Sequence, residues 1–371
     1  MSETYNKIYF VTGGGTGGHI YPAMAVADAL TEDENKVYYV GNRHNMEFEL
    51  AGKKGYKFLH VGVKGMPRGG KNILKLFVWA TKLLRAILFS IKYIKKYKPN
   101  AVFATGGYVS APMVIACRIT KTPYIMHDCD AMPGLVTRKF ARKAKCVTIA
   151  FERARKYVPN RNTIVTGNPI RKEFSTLTKE QARETLGLQN KITITIMGGS
   201  QGAKSINYAA LDLLKEFIQD YNLQIIFQTG NKNYDEIAEK LKLIYPAYEK
   251  DGSLIIQPYF DDMVSVLKAS DIVISRAGSL SISEICASGA LPILVPYPYA
   301  AANHQRLNAK CLLDAGACVY IEDKDMDANK LKNIIRNLLK NPIKMNYIRQ
   351  NSFNFAKFDA LKEITERLEN L

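Results

Sequence analysis

Twice this chain runs an apolar, β-branched stretch into a glycine-rich turn and then into a helical pattern. The first instance is the strand pattern at 8–11, then Gly13-Gly14-Gly15-Thr16-Gly17-Gly18-His19, then a helical pattern over 22–30. The second is 192–197, followed by Gly198-Gly199-Ser200-Gln201-Gly202-Ala203. Such a turn leaves backbone N–H groups at a helix N-terminus, where phosphate is attracted. Further strand patterns fall at 37–40, 101–104, 124–126, 146–149 and 163–165. In the second half they fall at 224–228, 254–256, 272–275, 292–295 and 318–321. Strands alternating with helical patterns argue for parallel sheets covered on both faces. Two such sets argue for an α/β chain of two doubly wound, Rossmann-like domains facing a shared cleft. The join is expected at Gly167-Asn168-Pro169-Ile170-Arg171, where Gly and Pro break the periodicity. The expected domains are 1–166 and 167–343, with a helical tail, 344–371, packing back on the first.

The first turn resembles two better-known motifs and fails both. Gly13, Gly15 and Gly18 satisfy G-x-G-x-x-G, but the dinucleotide fingerprint needs an acid at the end of the second strand. That strand ends in Gly41-Asn42-Arg43. A P-loop needs Lys and then Ser or Thr after its last glycine, and here His19 and Ile20 follow. A plain tight turn is the alternative reading. His19 is the side chain of the turn able to move a proton near neutral pH, which together with a phosphate cradle points to sugar-nucleotide or phosphoryl chemistry.

Composition narrows the setting. The chain has 371 residues, enough for two domains, and is 47% hydrophobic, as a globular protein with full cores is. No run reaches the roughly eighteen apolar residues of a spanning helix, and Met1-Ser2-Glu3 does not open a signal peptide. The six cysteines form no C-x-x-C pair and read as reduced thiols in the cytoplasm. The net charge of +18 is uneven: between Glu49 and Asp128 lie fifteen Lys or Arg and no acid. Within 72–98, Lys75, Lys82, Arg85, Lys92 and Lys96 share one helical face, with Val78, Trp79, Phe89 and Tyr93 on or beside it. The stripe suits an interfacial helix meeting anionic headgroups. It suits a solvated face of a packed helix equally well. No recognition motif accompanies the charge, so nucleic acid is not an expected partner.

Two more turns complete the pattern. Thr105-Gly106-Gly107-Tyr108 follows the strand at 101–104, beside the first turn. Arg276-Ala277-Gly278-Ser279-Leu280-Ser281-Ile282-Ser283-Glu284 follows the strand at 272–275. It offers hydroxyls and N–H groups at a helix start. Its carboxylate is suited to a ribose diol. In isolation a solvated helix glutamate is the simpler reading of Glu284.

These motifs, with Gly167-Asn168-Pro169-Ile170-Arg171 and His304-Gln305 before Asn308-Ala309, occur in one order, and that order resembles the MurG family over nearly the whole chain. The resemblance implies the GT-B architecture. It also implies inverting transfer of GlcNAc from UDP-GlcNAc to the 4-hydroxyl of MurNAc in a polyprenyl-diphosphate-linked acceptor, lipid I, giving lipid II on the cytoplasmic face of the membrane. By position it assigns the diphosphate to Arg171 and Ser200, the uracil to the backbone of Phe260, and phosphate and ribose to Ser279, Leu280, Ser281, Ile282, Ser283 and Glu284. It assigns the GlcNAc hydroxyls to His304 and Gln305, and a lining role toward the donor to Thr16, Gly17 and Gly18. Gly14, Gly15, Gly106, Gly107 and Tyr108 take the acceptor diphosphate. His19 is the candidate base, with a structural or sugar-binding histidine as its alternative. Lys75, Trp79, Lys82, Arg85, Phe89 and Lys92 are expected to meet the anionic membrane.

No metal site or cofactor is expected, and Mg²⁺ is expected at most to assist; Asp128-Cys129-Asp130 has the spelling of a metal motif but lies outside the donor motifs. The same segment departs from the family's His-Glu-Gln-Asn and puts Asp130 where an Asn would meet the donor sugar. A carboxylate only accepts, whereas an amide also donates. The rivals are a diacylglycerol glycosyltransferase, a UDP-GlcNAc 2-epimerase and a non-catalytic UDP-sugar-binding membrane protein.

Overall fold

The computed structural model describes residues 6–67, 73–199, 201–250 and 252–371. Met1 to Glu3, Asn72 at the start of the basic stretch, and Ser200 lie outside them. The chain divides into two units, Met1–Ile170 with Asp359–Leu371, and Arg171–Phe358.

The first unit carries seven parallel strands: β1 Ile8–Thr12, β2 Lys36–Gly41, β3 Lys57–His60, β4 Ala101–Ala104, β5 Tyr124–Asp128, β6 Cys146–Ile149 and β7 Thr163–Val165. Their order is β3-β2-β1-β4-β5-β6-β7. Among the helices that cover them are α1 (Gly17–Glu32), α2 (Met46–Lys53), α3 (Ile73–Tyr97) and α4 (Gly107–Thr120). Strand interiors are almost wholly buried, as a sheet covered on both faces requires. The sequence reading omits β3, whose four residues, Lys-Phe-Leu-His, begin and end with polar side chains at the sheet edge.

The second unit repeats the plan with β8 Thr193–Met197, β9 Gln224–Gln228, β10 Leu254–Gln257, β11 Ile272–Ser275, β12 Leu291–Leu294 and β13 Val319–Tyr320. Their order is β10-β9-β8-β11-β12-β13, again parallel. The expected return of 344–371 to the first unit divides. Helix Pro342–Phe355 buries Met345 and Ile348 in the core of the second unit. Helix Ala360–Glu369 buries Ile364 and Leu368 against Ile20, Met24 and Ala27 of α1. Each helix follows its apolar stripe to the core that stripe completes.

Candidate active site

In both units the glycine turns stand where the strand order reverses, which is where open α/β sheets bind ligands. In the first unit the reversal lies between β1 and β4; in the second, between β8 and β11.

The first reversal brings together the two turns that sequence placed side by side. Thr16 is the N-cap of α1, and His19 lies in its first turn. Thr105 Oγ1 donates to the His19 carbonyl at 2.6 Å, tying the end of β4 to α1. Gly107 has φ +71, and a Cβ there would stand 3.0 Å from His19 Cδ2 and 3.0 Å from the Gly14 carbonyl. The imidazole therefore lies against the second glycine turn, and only glycine leaves it room. Tyr108 is exposed, with its ring over Gly15. The Gly15 N–H points inward, to Glu47 Oε2 at 3.4 Å. It is thus committed within the protein, contrary to the expectation that it cradles a diphosphate.

The floor of this site is the end of β5. His127 is fully buried, with Nδ1 2.9 Å from Thr148 Oγ1 and Nε2 3.1 Å from Asn168 Oδ1. Burial, and then the charge of His19, lower it to about 4, against which the Asn168 contact works. Asp128 is buried and accepts from the N–H groups of Asp130 (3.3 Å) and Gly134 (3.0 Å). Burial foremost, then the charge of Asp130, push it up to about 7. Both Asp128 oxygens are thus engaged with backbone N–H groups. Among the described residues no group of three His, Cys, Asp or Glu is arranged to hold a metal. Cys129 Sγ instead donates to the Gly18 carbonyl at 3.1 Å.

In the second unit, Gly198 to Ala203 leads into helix Lys204–Leu211, and Gly278 caps helix Ser279–Ser288. Arg171 and Glu284, which sequence assigned to different parts of the donor, meet each other: Arg171 Nη2 lies 3.0 Å from Glu284 Oε1. The carboxylate is 13% exposed; burial raises its pKa and Arg171 opposes that rise. Phe260 is buried, and its N–H donates to Gln228 Oε1 at 3.0 Å, so its carbonyl is the backbone group it can offer a base. Ile282 does not fit its expected role. Its side chain is 1% exposed and its N–H donates to the Gly278 carbonyl, so it serves the core and the helix. Ser283 Oγ likewise donates back to the Ser279 carbonyl, while Leu280 and Ser281 remain partly accessible.

Gln305 Oε1 accepts from the Tyr297 N–H at 2.9 Å, which leaves Nε2 as the donor end of its amide; His304 precedes it at the helix start. Sequence reasoning missed the support for this corner. Arg276 donates to Asp323 Oδ1 (2.5 Å), Ser205 Oγ (3.1 Å) and the Val295 carbonyl (3.1 Å), and stacks over Tyr297. An arginine directly after a strand was visible, but its partners lie far along the chain. A groove of about 980 Å³ is lined by Arg171 and, around it, by the four carboxylates of Glu173, Glu184, Asp261 and Asp262. That acidic lining is wrong for a diphosphate, and the groove includes none of the glycine turns.

On α3, Lys75, Lys82, Arg85 and Lys92 are all exposed. Trp79 is half-buried, its indole N–H donating to the Lys64 carbonyl at 3.0 Å, and Phe89 is half-buried against Tyr93. Besides Ile73, Leu76 and Val78, the exposed large apolar side chains of α3 are Leu74 (72%), Phe77 (65%), Leu84 and Leu88. Their spacing of three, seven and four marks one helical face that the sequence reading passed over. Among the described residues no helix is long and apolar enough to cross a membrane.

The N-terminal domain of glycosyltransferase family 28 matches residues 9–149, and the C-terminal domain of that family matches residues 193–364. A UDP-N-acetylglucosamine--N-acetylmuramyl-(pentapeptide) pyrophosphoryl-undecaprenol N-acetylglucosamine transferase of Thermoanaerobacter sp. (strain X514) is 36% identical over 371 residues, covering 98% of this chain and 99% of that one. The crystal structure of Acinetobacter baumannii MurG matches with a TM-score of 0.78 at 26% identity, over 98% of this chain and 100% of that one. A UDP-GlcNAc 2-epimerase from Neisseria meningitidis bound to UDP-GlcNAc matches with a TM-score of 0.68 at 14% identity, over 98% of this chain and 100% of that one. That last likeness is one of fold alone.

Proposed function

This chain belongs to the MurG family within glycosyltransferase family 28, and from that membership we propose how its residues carry out the family's reaction. It is an N-acetylglucosamine transferase that moves GlcNAc from UDP-GlcNAc to lipid I, forming lipid II for peptidoglycan. The observation that carries this is identity of 36% to a transferase of that name across 98% of the chain.

In the proposed mechanism the first unit presents the acceptor and the second holds the donor. The imidazole of His19 takes the proton of the MurNAc 4-hydroxyl as that oxygen attacks the anomeric carbon. The bond from that carbon to the UDP oxygen breaks on the opposite face, its electron pair leaves with UDP, and α becomes β. The charge that develops on UDP is met by the N-termini of helices Lys204–Leu211 and Ser279–Ser288 and by Arg171. Glu284 accepts the ribose hydroxyls, with Arg171 holding one of its oxygens. The Nε2 of Gln305 donates to a GlcNAc hydroxyl, and the Phe260 carbonyl accepts from uracil. Gly14, Gly106, Gly107 and Tyr108 line the acceptor diphosphate. No residue named in this scheme is a metal ligand, and a bound Mg²⁺ would screen the phosphate charge of UDP.

The protein works as a peripheral protein on the cytoplasmic leaflet. The basic face of α3 meets anionic headgroups, and Leu74, Phe77, Leu84 and Leu88 enter the interface.

Transfer of radiolabelled GlcNAc from UDP-GlcNAc to a short-chain lipid I analogue tests the reading. Labelled lipid II is the expected product. UDP-GlcNAc binding without transfer, conversion to UDP-ManNAc, or transfer to diacylglycerol alone would each overturn it.

A further inference from the structure

The first glycine turn rests on a carboxyl group that none of these roles uses. Glu47 lies in the first turn of α2 and is fully buried. Its Oε2 accepts from the Gly15 N–H at 3.4 Å. Its Oε1 accepts from the Asn42 N–H at 3.2 Å and from Asn45 Nδ2 at 3.0 Å. Asn45 Nδ2 in turn lies 3.4 Å from the Tyr108 hydroxyl. One side chain thus joins the β1–α1 turn, the end of β2 and the β2–α2 turn, and reaches Tyr108 through Asn45. The fit is close: a Cβ on Gly14 would stand 2.7 Å from Oε1. Tyr39 completes the floor, its hydroxyl donating to the Gly13 carbonyl at 2.6 Å.

Burying a carboxyl group is costly unless its oxygens are satisfied. Here both are used, and each holds a piece of the acceptor-side loops. We infer that Glu47 is a positioning residue for the acceptor, fixing Gly15 and Tyr108 so that the acceptor sugar is held beside His19. This rests on the reading that the first unit takes the acceptor. It also directs the Gly15 N–H away from the acceptor. The acceptor diphosphate is then left to the first-turn N–H groups of α1 and to the second glycine turn. Both oxygens accept, so an amide cannot replace the group. Gln has a single acceptor oxygen, and its NH₂ would face either Gly15 or the Asn42 and Asn45 donors.

The test is Glu47→Gln in the full-length protein, with Glu47→Ala as a second variant and thermal unfolding to establish that each is folded. Acceptor kcat/KM should fall by at least about tenfold, because small misplacement of a reacting group costs rate steeply. The KM for UDP-GlcNAc should stay near wild type, since Arg171, Phe260, Glu284 and Gln305, which hold the donor in this scheme, belong to the other unit. Hydrogen–deuterium exchange of the peptide spanning Gly13–His19 should quicken in both variants. Wild-type acceptor kinetics in folded variants, an equal loss in donor and acceptor KM, or unchanged exchange would overturn the inference. If wild-type protein makes no lipid II, the reading of function fails, while the exchange experiment still decides whether Glu47 holds the turn.

Discussion

Arg171 grips one oxygen of Glu284 with two nitrogens, Nη2 at 3.0 Å and Nε at 3.2 Å. Sequence placed these residues 113 positions apart and gave them separate ligand groups; the fold makes them one unit. Burial lifts the pKa of Glu284 and Arg171 pulls it back, so removing Arg171 lifts it further. Arg171→Ala should therefore lose UDP affinity at a higher pH than wild type as acid is added, because the ribose hydroxyls need an ionised acceptor. Titration calorimetry with UDP at a series of pH values falling from neutral reads this shift, and superimposable curves would remove Arg171 from that role. The folded carboxyl holds its proton longer than the unfolded one, so the variant should also lose stability as pH rises through the raised pKa. With Arg171 itself 39% exposed, solvent screening limits the loss at neutral pH to about 1–2 kcal/mol.

His19→Ala should lower turnover by about 10²–10⁴-fold, the range of general-base contributions. UDP-GlcNAc affinity should hold within about twofold, because a residue that acts on the acceptor proton leaves the donor site intact. Single-turnover transfer and calorimetry separate the two. Near-wild-type turnover would leave His19 as a wall of the acceptor site and not its base.

Exposed and covered residues on α3 should behave differently at a membrane. Replacing Lys75, Lys82 and Arg85 by Glu, or Phe77 and Leu88 by Glu, should release the protein from vesicles containing anionic lipid, as the loss of basic and apolar contacts requires. Trp79→Phe should keep vesicle binding while losing the tie to the Lys64 carbonyl. Sedimentation with vesicles checks both, and release by the Trp79 variant alone would reverse the assignment.

His127 and Asp128 should tilt stability in opposite directions. His127 is held at about 4, below its ordinary 6.5, so in that interval the unfolded chain takes up a proton that the fold refuses. Its contribution falls as pH falls. Asp128 is held at about 7, above its ordinary 3.8, so the folded carboxyl keeps a proton that the unfolded chain has lost. Its contribution falls as pH rises. Asp128→Asn should therefore show unfolding free energy rising from about pH 5 to 6.5, and His127→Gln should show it falling over the same range. Urea unfolding at several pH values measures the slopes. Equal slopes in the two variants would refute the opposition.

What the amino-acid order determined by itself was local and periodic. Apolar runs ending in Gly13–His19, Gly106–Tyr108 and Gly198–Ala203 announce strands feeding turns, because glycine, backbone N–H groups and strand patterns are properties of short windows. From these came two parallel α/β sheets and the position of the turns at strand ends. The order of motifs marked the family. The tertiary structure decided everything that depends on residues far apart in the chain. It paired Arg171 with Glu284, set Arg276 on Asp323 and Ser205, and laid His19 against Gly107. It withdrew Ile282 into the core and turned the Gly15 N–H toward Glu47. Burial and hydrogen-bond partners are set by packing between distant segments, and no local pattern encodes which carboxyl group will lie beneath which turn. Glu47 reads in sequence as a helix-start glutamate, and only the closed fold buries it completely beneath the turn that ends in His19.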